Sequence, residues 1–285
     1  MNKVFSIMLA AIFLLSACGS QPTSVDKNEE DNQKQDTANN QSKETNEGEQ
    51  EVEKPSEEED LEAIDKEVDK QKEPTYKMNE DTFVIEPITD ANAKVALITI
   101  DDAPDKYALE MAKTLKALDA PAIFFVNGHL IHSPEKEDIV KQIHELGFPI
   151  GNHTYSHNDL KTLSNEEQQE EIMSVNDKVE EITGERPKFF RAPFGSNTDE
   201  SRKIASEEKM LVMNWTYGYD WESQYMTKDA IADIMVNTEL LNNGANLLMH
   251  DREWTNAGLE KIVKGLRDKG YELLDPILIE TPSGE

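Results

Sequence analysis

Two histidines spaced four apart in Gly151-Asn152-His153-Thr154-Tyr155-Ser156-His157, and an adjacent carboxylate pair, Asp101-Asp102, are the residues of this chain best suited to chemistry. The chain has only 6 histidines, so a spaced pair carries weight. Two imidazoles and one carboxylate make an open-sided site for a divalent metal, with coordination positions left for water and substrate. Paired carboxylates at one site divide labour: one binds the ion while its neighbour serves as a base. Taken alone, the pair could instead cap the next helix through Asp102 or Asp105. The Thr-Tyr-Ser between the histidines does not favour helix, and Gly151-Asn152 precedes it, so the histidines are expected on a loop.

Two further groupings fit the same site. Arg191-Ala192-Pro193-Phe194-Gly195 joins a fixed cation to Pro and Gly that shape the backbone. Arg191 is expected to orient a carboxylate bidentately, and the Phe194 N–H to donate to a developing oxyanion. Asp220-Trp221 and Leu248-Met249-His250 form the second. As a couple they suggest a carboxylate that holds an imidazole's orientation and raises its pKa, as a general acid requires. Trp221, Tyr225 and Trp254 are candidates to stack on a ligand, each with core packing as the plain alternative. His129, His132 and His144 read as ordinary.

The elements that must position these residues follow an alternating pattern from about residue 90. Strands are expected over 95–100, 122–126, from 148 to 150 onward, and over 188–190, 210–214, 246–249 and 271–274, by β-branched and aromatic content. Helices are expected over 106–118, 134–146, 227–242 and 255–269. Another should run from a capping box at Ser164 and Glu167 to about Ile182, before Gly184. That count suits a parallel α/β barrel or a doubly wound sheet. Asp101-Asp102, the histidine pair, Arg191, Asp220 and His250 each follow a strand, and in a parallel barrel all strand C-termini gather at one face. Chance packing explains one or two such placements, not five.

Composition bounds the rest. Residues 1–18 read as a secretory signal: Met1-Asn2-Lys3, an apolar run from Val4 to Leu15, then Ser16-Ala17-Cys18. Cys18 is the single cysteine, so no internal disulfide can form, and it resembles the lipidated residue of a bacterial lipoprotein. Residues 19–76 carry 19 acidic and 7 basic side chains with scarcely any apolar ones, and are expected to be a disordered, self-repelling tether. A net charge of −29 argues against nucleic acid as a partner. Residues 77–285 are the expected folded domain, in a monomer that the lipoprotein resemblance places outside the cytoplasm, anchored to the membrane at Cys18 and facing the cell wall.

The residues spell out a family resemblance. Thr99-Ile100-Asp101-Asp102-Ala103-Pro104, His153-Thr154-Tyr155-Ser156-His157, Arg191-Ala192-Pro193-Phe194, Asp220-Trp221 and Leu248-Met249-His250 resemble, in order, the five signature motifs of NodB-type polysaccharide deacetylases, carbohydrate esterase family 4. The resemblance covers roughly residues 90 to 275. It implies a distorted (β/α) barrel and a metal-dependent hydrolase that removes acetyl groups from N-acetylated sugars, of peptidoglycan first and chitin-like polymers second. By the same resemblance Asp101 is the general base, and Asp102, His153 and His157 hold the metal, zinc first, with cobalt or nickel as alternatives. Arg191 orients Asp101, Asp220 orients His250, His250 is the general acid and Leu248 lines the acetyl pocket. The chain departs from the family at Ala103, where glycine is usual, at Ile100, where an aromatic is usual, and at Phe194, where tyrosine is usual. Alanine at a glycine position of positive φ would strain the turn behind the metal ligand. A glycan-binding wall lipoprotein with little turnover and an O-acetyl esterase are the competing readings.

Overall fold

The computed structural model describes residues 73–282; the signal segment, Cys18 and the acidic stretch to residue 72 lie outside the described residues. A hairpin comes first, β1 (Tyr76–Met78) paired antiparallel to β2 (Ile85–Pro87). Tyr76, read from sequence as the end of the tether, is buried in β1. Strand–helix units follow: β3 (Val95–Ala103), α1 (Ala108–Ala117), β4 (Ala122–Val126), α2 (Pro134–Glu145), β5 (Ile150–Asn152), α3 (Asn165–Thr183), β6 (Phe189–Phe190), α4 (Asp199–Glu207) and β7 (Leu211–Val212). Then come β8 (Tyr217–Gly218), α5 (Lys228–Asn237), β9 (Ala245–His250), α6 (Glu253–Asp268) and β10 (Glu272–Leu273).

The main sheet is parallel throughout, in the order β7-β6-β5-β4-β3-β9-β8, with β10 pairing to the start of β3. It curls into a half-barrel, and among the described residues no ladder joins β7 to β8. Period-two alternation sorts each strand between two cores. Ala96, Ile98, Ile100 and Phe124 face outward and pack with Met111, Leu115, Val140, Val175, Ile231, Leu259 and Ile262 of the helices. Val95, Leu97, Ile123, Phe125 and Phe189 face inward, where Tyr76, Met78 and Ile85 of the hairpin and Leu274 and Ile279 close the floor. The hairpin, not helices, covers that inner face, so the doubly wound alternative does not hold. Gly244 lets it dock: at φ +74 a Cβ there would lie 2.0 Å from the Ile85 carbonyl oxygen.

Most expected elements are present, and the differences have local causes. The capping box at Ser164 and Glu167 opens α3, and Gly184 ends it at φ 78. Helix α5 stops at Asn237, five residues short of the expectation, because Thr238 turns extended (ψ 146) and its hydroxyl accepts from the Leu240 N–H. Neither Asp102 nor Asp105 caps α1. Asp251, from the end of β9, does so, accepting from the N–H groups of Lys106, Tyr107 and Ala108 at 3.0, 2.5 and 3.0 Å. Burial pushes its pKa up against the pull of those three donors. Asp251→Ala is expected to destabilise the fold by about 2–4 kcal/mol, because three N–H groups at a buried helix start lose their acceptor. Chemical denaturation measures it, and a loss under about 0.5 kcal/mol would show that water replaces the carboxylate.

Candidate active site

The inward face of β3 reads Val95, Leu97, Thr99, Asp101 from floor to rim, and that of β9 reads Asn246, Leu248, His250. Asp101 and His250 are direct register partners, so the two strands lift a carboxylate and an imidazole to the same level. In a regular strand Asp102 would turn away from Asp101. A register shift between Ile100 and Ala103, together with a left-handed Asp102 (φ 60), breaks that alternation. Both carboxylates therefore reach one site. The left-handed residue is Asp102 and not Ala103, whose methyl is buried in the outer core, so the expected strain at Ala103 does not arise.

Asp102, His153 and His157 bring one ligand atom each within 4.8 Å of one another. Asp102 Oδ1 lies 3.6 Å from His157 Nε2 and 4.0 Å from His153 Nε2. Metal–ligand bonds of about 2.0–2.2 Å fit such a cluster, and one carboxylate with two imidazoles suits a borderline divalent ion. His153 Nδ1 lies 2.7 Å from the Arg191 carbonyl oxygen, which can only accept, so the proton sits on Nδ1 and the Nε2 lone pair is free for a metal. Burial pulls the His153 pKa down, against Asp101 and Asp102, and favours the neutral ligand form.

The histidine loop is held by its own backbone and by neighbouring side chains. Thr154 and His157 both take positive φ, 64 and 60. Asn127 Nδ2 donates to the His153 carbonyl at 2.6 Å, and His129 approaches the Tyr155 carbonyl through both its N–H and its Nδ1 at 2.8 Å. Glu171 of α3 accepts from the Ser156 N–H at 2.7 Å and the Ser156 hydroxyl at 2.5 Å. Sequence reasoning missed Glu171 and set His129 aside. Nothing in their spacing marks them, because their partner is backbone or a serine on another element.

Arg191 is fully buried. Its Nη1 donates to Asp101 Oδ1 at 2.6 Å and to Thr99 Oγ1 at 2.7 Å, while Nε and Nη2 donate to the carbonyls of Met213 and Asn214 at 3.1 and 2.9 Å. The contact to Asp101 is thus through one nitrogen, not the expected bidentate fork, because the rest of the guanidinium binds backbone. Burial lowers its pKa and Asp101 raises it, and it remains a cation. Opposite, Asp220 grips His250 twice: Oδ1 lies 2.7 Å from Nδ1, and Oδ2 accepts from the His250 N–H at 2.6 Å. Thr255 Oγ1 and Trp254 Nε1 fix Asp220 in turn, each at 2.7 Å. Asp220 follows β8, a strand not expected from sequence, rather than β7. Burial alone would pull the His250 pKa down. The hydrogen bond and charge of Asp220, joined by Asp101 and Asp102, outweigh burial and hold it above the ordinary value.

Aromatic rings flank the cluster. Phe194, left-handed at φ 58 and 68 % exposed, sets its ring edgewise on His157 at 4.9 Å. Trp221, 48 % exposed, does the same to His250 at 5.7 Å, and Gly218 leaves room for it beside Leu248. Of the three stacking candidates only Trp221 is open, since Tyr225 and Trp254 pack against the core. Leu248 is buried and inward-facing.

The polysaccharide deacetylase family model matches residues 89–213. A peptidoglycan-N-acetylglucosamine deacetylase of Bacillus cereus is 35% identical over 188 residues, covering 63% of this chain and 68% of that protein. Among solved structures, the peptidoglycan deacetylase PdaC of Bacillus subtilis matches with a TM-score of 0.58 at 31% identity, over 66% of this chain and 90% of that one. A carbohydrate esterase family 4 pseudoenzyme from Bacillus anthracis matches with a TM-score of 0.58 at 30% identity, over 64% and 63% of the two chains. A mutant of that pseudoenzyme is described as having restored enzymatic activity.

His153→Ala is expected to weaken zinc or cobalt binding by roughly two orders of magnitude or more, as loss of a direct ligand should exceed loss of its supporting partner. Titration of metal-stripped protein measures this, and retained stoichiometric binding would overturn the ligand assignment.

Proposed function

This chain belongs to the polysaccharide deacetylase family, and from that premise we propose that it hydrolyses N-acetyl groups of a cell-wall polysaccharide, releasing acetate. Peptidoglycan N-acetylglucosamine is the substrate class favoured by the relatives. The observation that carries this reading is the pairing of two oppositely equipped proton carriers, Asp101 on its buried Arg191 and His250 on its buried Asp220, at one strand level beside the Asp102–His153–His157 cluster.

Asp102, His153 and His157 would hold a divalent ion, which would supply Lewis acidity toward the acetyl carbonyl and the attacking water. Zinc fits the donor set, with cobalt or nickel as alternatives. Asp101, hydrogen-bonded to Arg191 through Oδ1, keeps Oδ2 for a proton and removes one from the water. The Phe194 N–H donates to the carbonyl oxygen as it gains charge, and Leu248 and Trp221 shelter the acetyl methyl. When the carbon–nitrogen bond breaks, His250 delivers its proton to the departing sugar amine. Water's oxygen ends in the acetic acid released, the nitrogen leaves as the neutral amine carrying the proton from His250, and Asp101 gives its proton back to solvent as His250 regains one. Proton uptake and proton delivery thus fall to separate residues whose environments differ.

Placement outside the cytoplasm, tethered through a lipid at Cys18, agrees with the leader read from sequence and with cell-wall substrates of the relatives. Among the described residues no helix is long and apolar enough to cross a membrane.

The test is acetate release from N-acetylglucosamine oligomers and from peptidoglycan, with and without added zinc or cobalt. Metal-dependent release supports the deacetylase. Saturable glycan binding without acetate would favour a wall-binding protein, and preference for O-acetyl xylan an esterase. Asp101→Asn is expected to keep metal affinity while kcat falls by roughly 10²–10⁴. Asparagine is chosen because its Oδ1 can still accept from Arg191 Nη1, whereas alanine would leave that buried guanidinium without this acceptor as well as without its counter-charge. Equal loss of metal and turnover would mean the two aspartates' roles are reversed.

His250 must be protonated to act, so activity is present below its pKa and lost as pH rises through it. Asp220→Asn removes the partner that raises this pKa, so the alkaline limb of kcat/KM is expected to move to lower pH. An unmoved limb would assign the proton to another group.

A further inference from the structure

Asp102 has two carboxylate oxygens, and they face different ways. Oδ1 looks toward the histidines, 3.6 Å from His157 and 4.0 Å from His153. Oδ2 is taken: Arg252 Nη2 donates to it at 2.9 Å, and Arg252 Nη1 lies 3.8 Å from Asp105 Oδ2. Arg252 is well placed to hold this contact. It directly follows Asp251, which is locked beneath α1 by three N–H groups, and its own N–H donates to the His250 carbonyl at 2.8 Å. Its side chain is 39 % exposed, so it sits at the lip of the site rather than in the core. Its charge therefore has a route to solvent, unlike that of Arg191.

We propose that Arg252 is a positioning residue that restricts Asp102 to a single oxygen toward the bound cation and draws charge away from that oxygen. The inference rests on the reading of Asp102, His153 and His157 as the cation site. Two physical consequences oppose each other. A guanidinium one carboxylate away from a dication repels it, and a carboxylate already engaged by a charge-assisted hydrogen bond is a poorer donor, so Arg252 weakens metal binding. The same effects leave the ion more electron-poor and keep a second carboxylate oxygen off it, so a coordination position stays available for substrate. Arg252 thus gives up metal affinity in exchange for reactivity. A residue that merely braced the fold would do the reverse, since its loss would loosen the ligands and weaken binding.

The experiment compares wild type, Arg252→Met and Arg252→Lys after metal removal. Methionine keeps a stem of similar length and removes the charge; at a half-exposed position it is not expected to prevent folding, and circular dichroism verifies this. Zinc affinity is measured by chelator competition, the cobalt-loaded proteins by visible absorption, and kcat on an N-acetylglucosamine oligomer. Arg252→Met is expected to bind zinc roughly three- to tenfold more tightly. Its cobalt bands should weaken as the second oxygen raises the coordination number, and kcat should fall at least about tenfold. Arg252→Lys, a point charge without the planar fork, should recover part of each change. Weaker or equal zinc binding in Arg252→Met with an unaltered cobalt spectrum would overturn the proposal while leaving the cation site standing. Failure of the wild type itself to bind zinc or cobalt would overturn both.

Discussion

The site depends on one buried guanidinium. Arg191 is fully enclosed, and a charge taken out of water is tolerated only where hydrogen bonds and an opposite charge replace the solvent. Asp101 supplies the charge, and Thr99 and the carbonyls of Met213 and Asn214 supply the rest. These partners come from β3 and the chain after β7, while Arg191 itself follows β6. Its own carbonyl then fixes the tautomer of His153, and its face lies 4.3 Å from the centre of the Phe125 ring. One residue therefore ties three strand ends together, orients the candidate base and presents a candidate metal ligand in its neutral form. Moving it would disturb all three at once.

The half-barrel is graded from floor to rim to make such a charge affordable. Below Thr99 and Asn246 the interior is apolar and closed by the hairpin; above them it is polar and opens toward solvent. Near that rim stand two imidazoles, His153 buried and His250 partly buried. His153 has burial as its dominant influence and is drawn toward the neutral form, which suits a ligand. His250 is partly buried, and there the double grip of Asp220 outweighs desolvation and favours the charged form, which suits an acid. The proton affinities move in opposite directions because His153 is the more deeply buried and bonds a carbonyl, whereas His250 bonds a carboxylate. A bound dication would offset the share of the His250 shift that comes from Asp101 and Asp102, and leave the share from Asp220 in place.

How much of this was legible in the sequence follows from the range of each interaction. The residues at strand ends, the spacing of the histidines and the capping box of α3 are local signals, and each was readable. The left-handed turn at Asp102 was not, since it arises from a register shift against β4 that involves residues 122–126. Glu171 gripping Ser156, Asp251 capping α1 and Arg252 on Asp102 are pairings across 15, 143–145 and 150 positions. No periodicity announces them. The hairpin, α4 and β8 were missed for a plainer reason: β1 and β8 are three and two residues long, and α4 reads mostly polar. The caution over Ala103 failed because the strained backbone position is its neighbour, where an aspartate takes the left-handed turn.

Family membership does not decide between turnover and mere binding, since the fold is shared with a protein described as a pseudoenzyme. The arrangement of Asp220 does bear on that choice. A glycan-binding protein needs exposed rings and hydrogen-bonding groups, and a structural metal needs Asp102, His153 and His157. Neither requires an imidazole outside the metal set to be held at two points by a buried aspartate whose carboxylate accepts from Thr255 and whose backbone carbonyl accepts from Trp254. Burying Asp220 costs desolvation, and the hydrogen bonds around it return little if His250 has only to fill space. The arrangement is accounted for when His250 must keep one orientation and hold its proton more firmly than an ordinary imidazole, at the strand level where Asp101 stands. Catalysis, rather than binding, is what this second carboxylate explains.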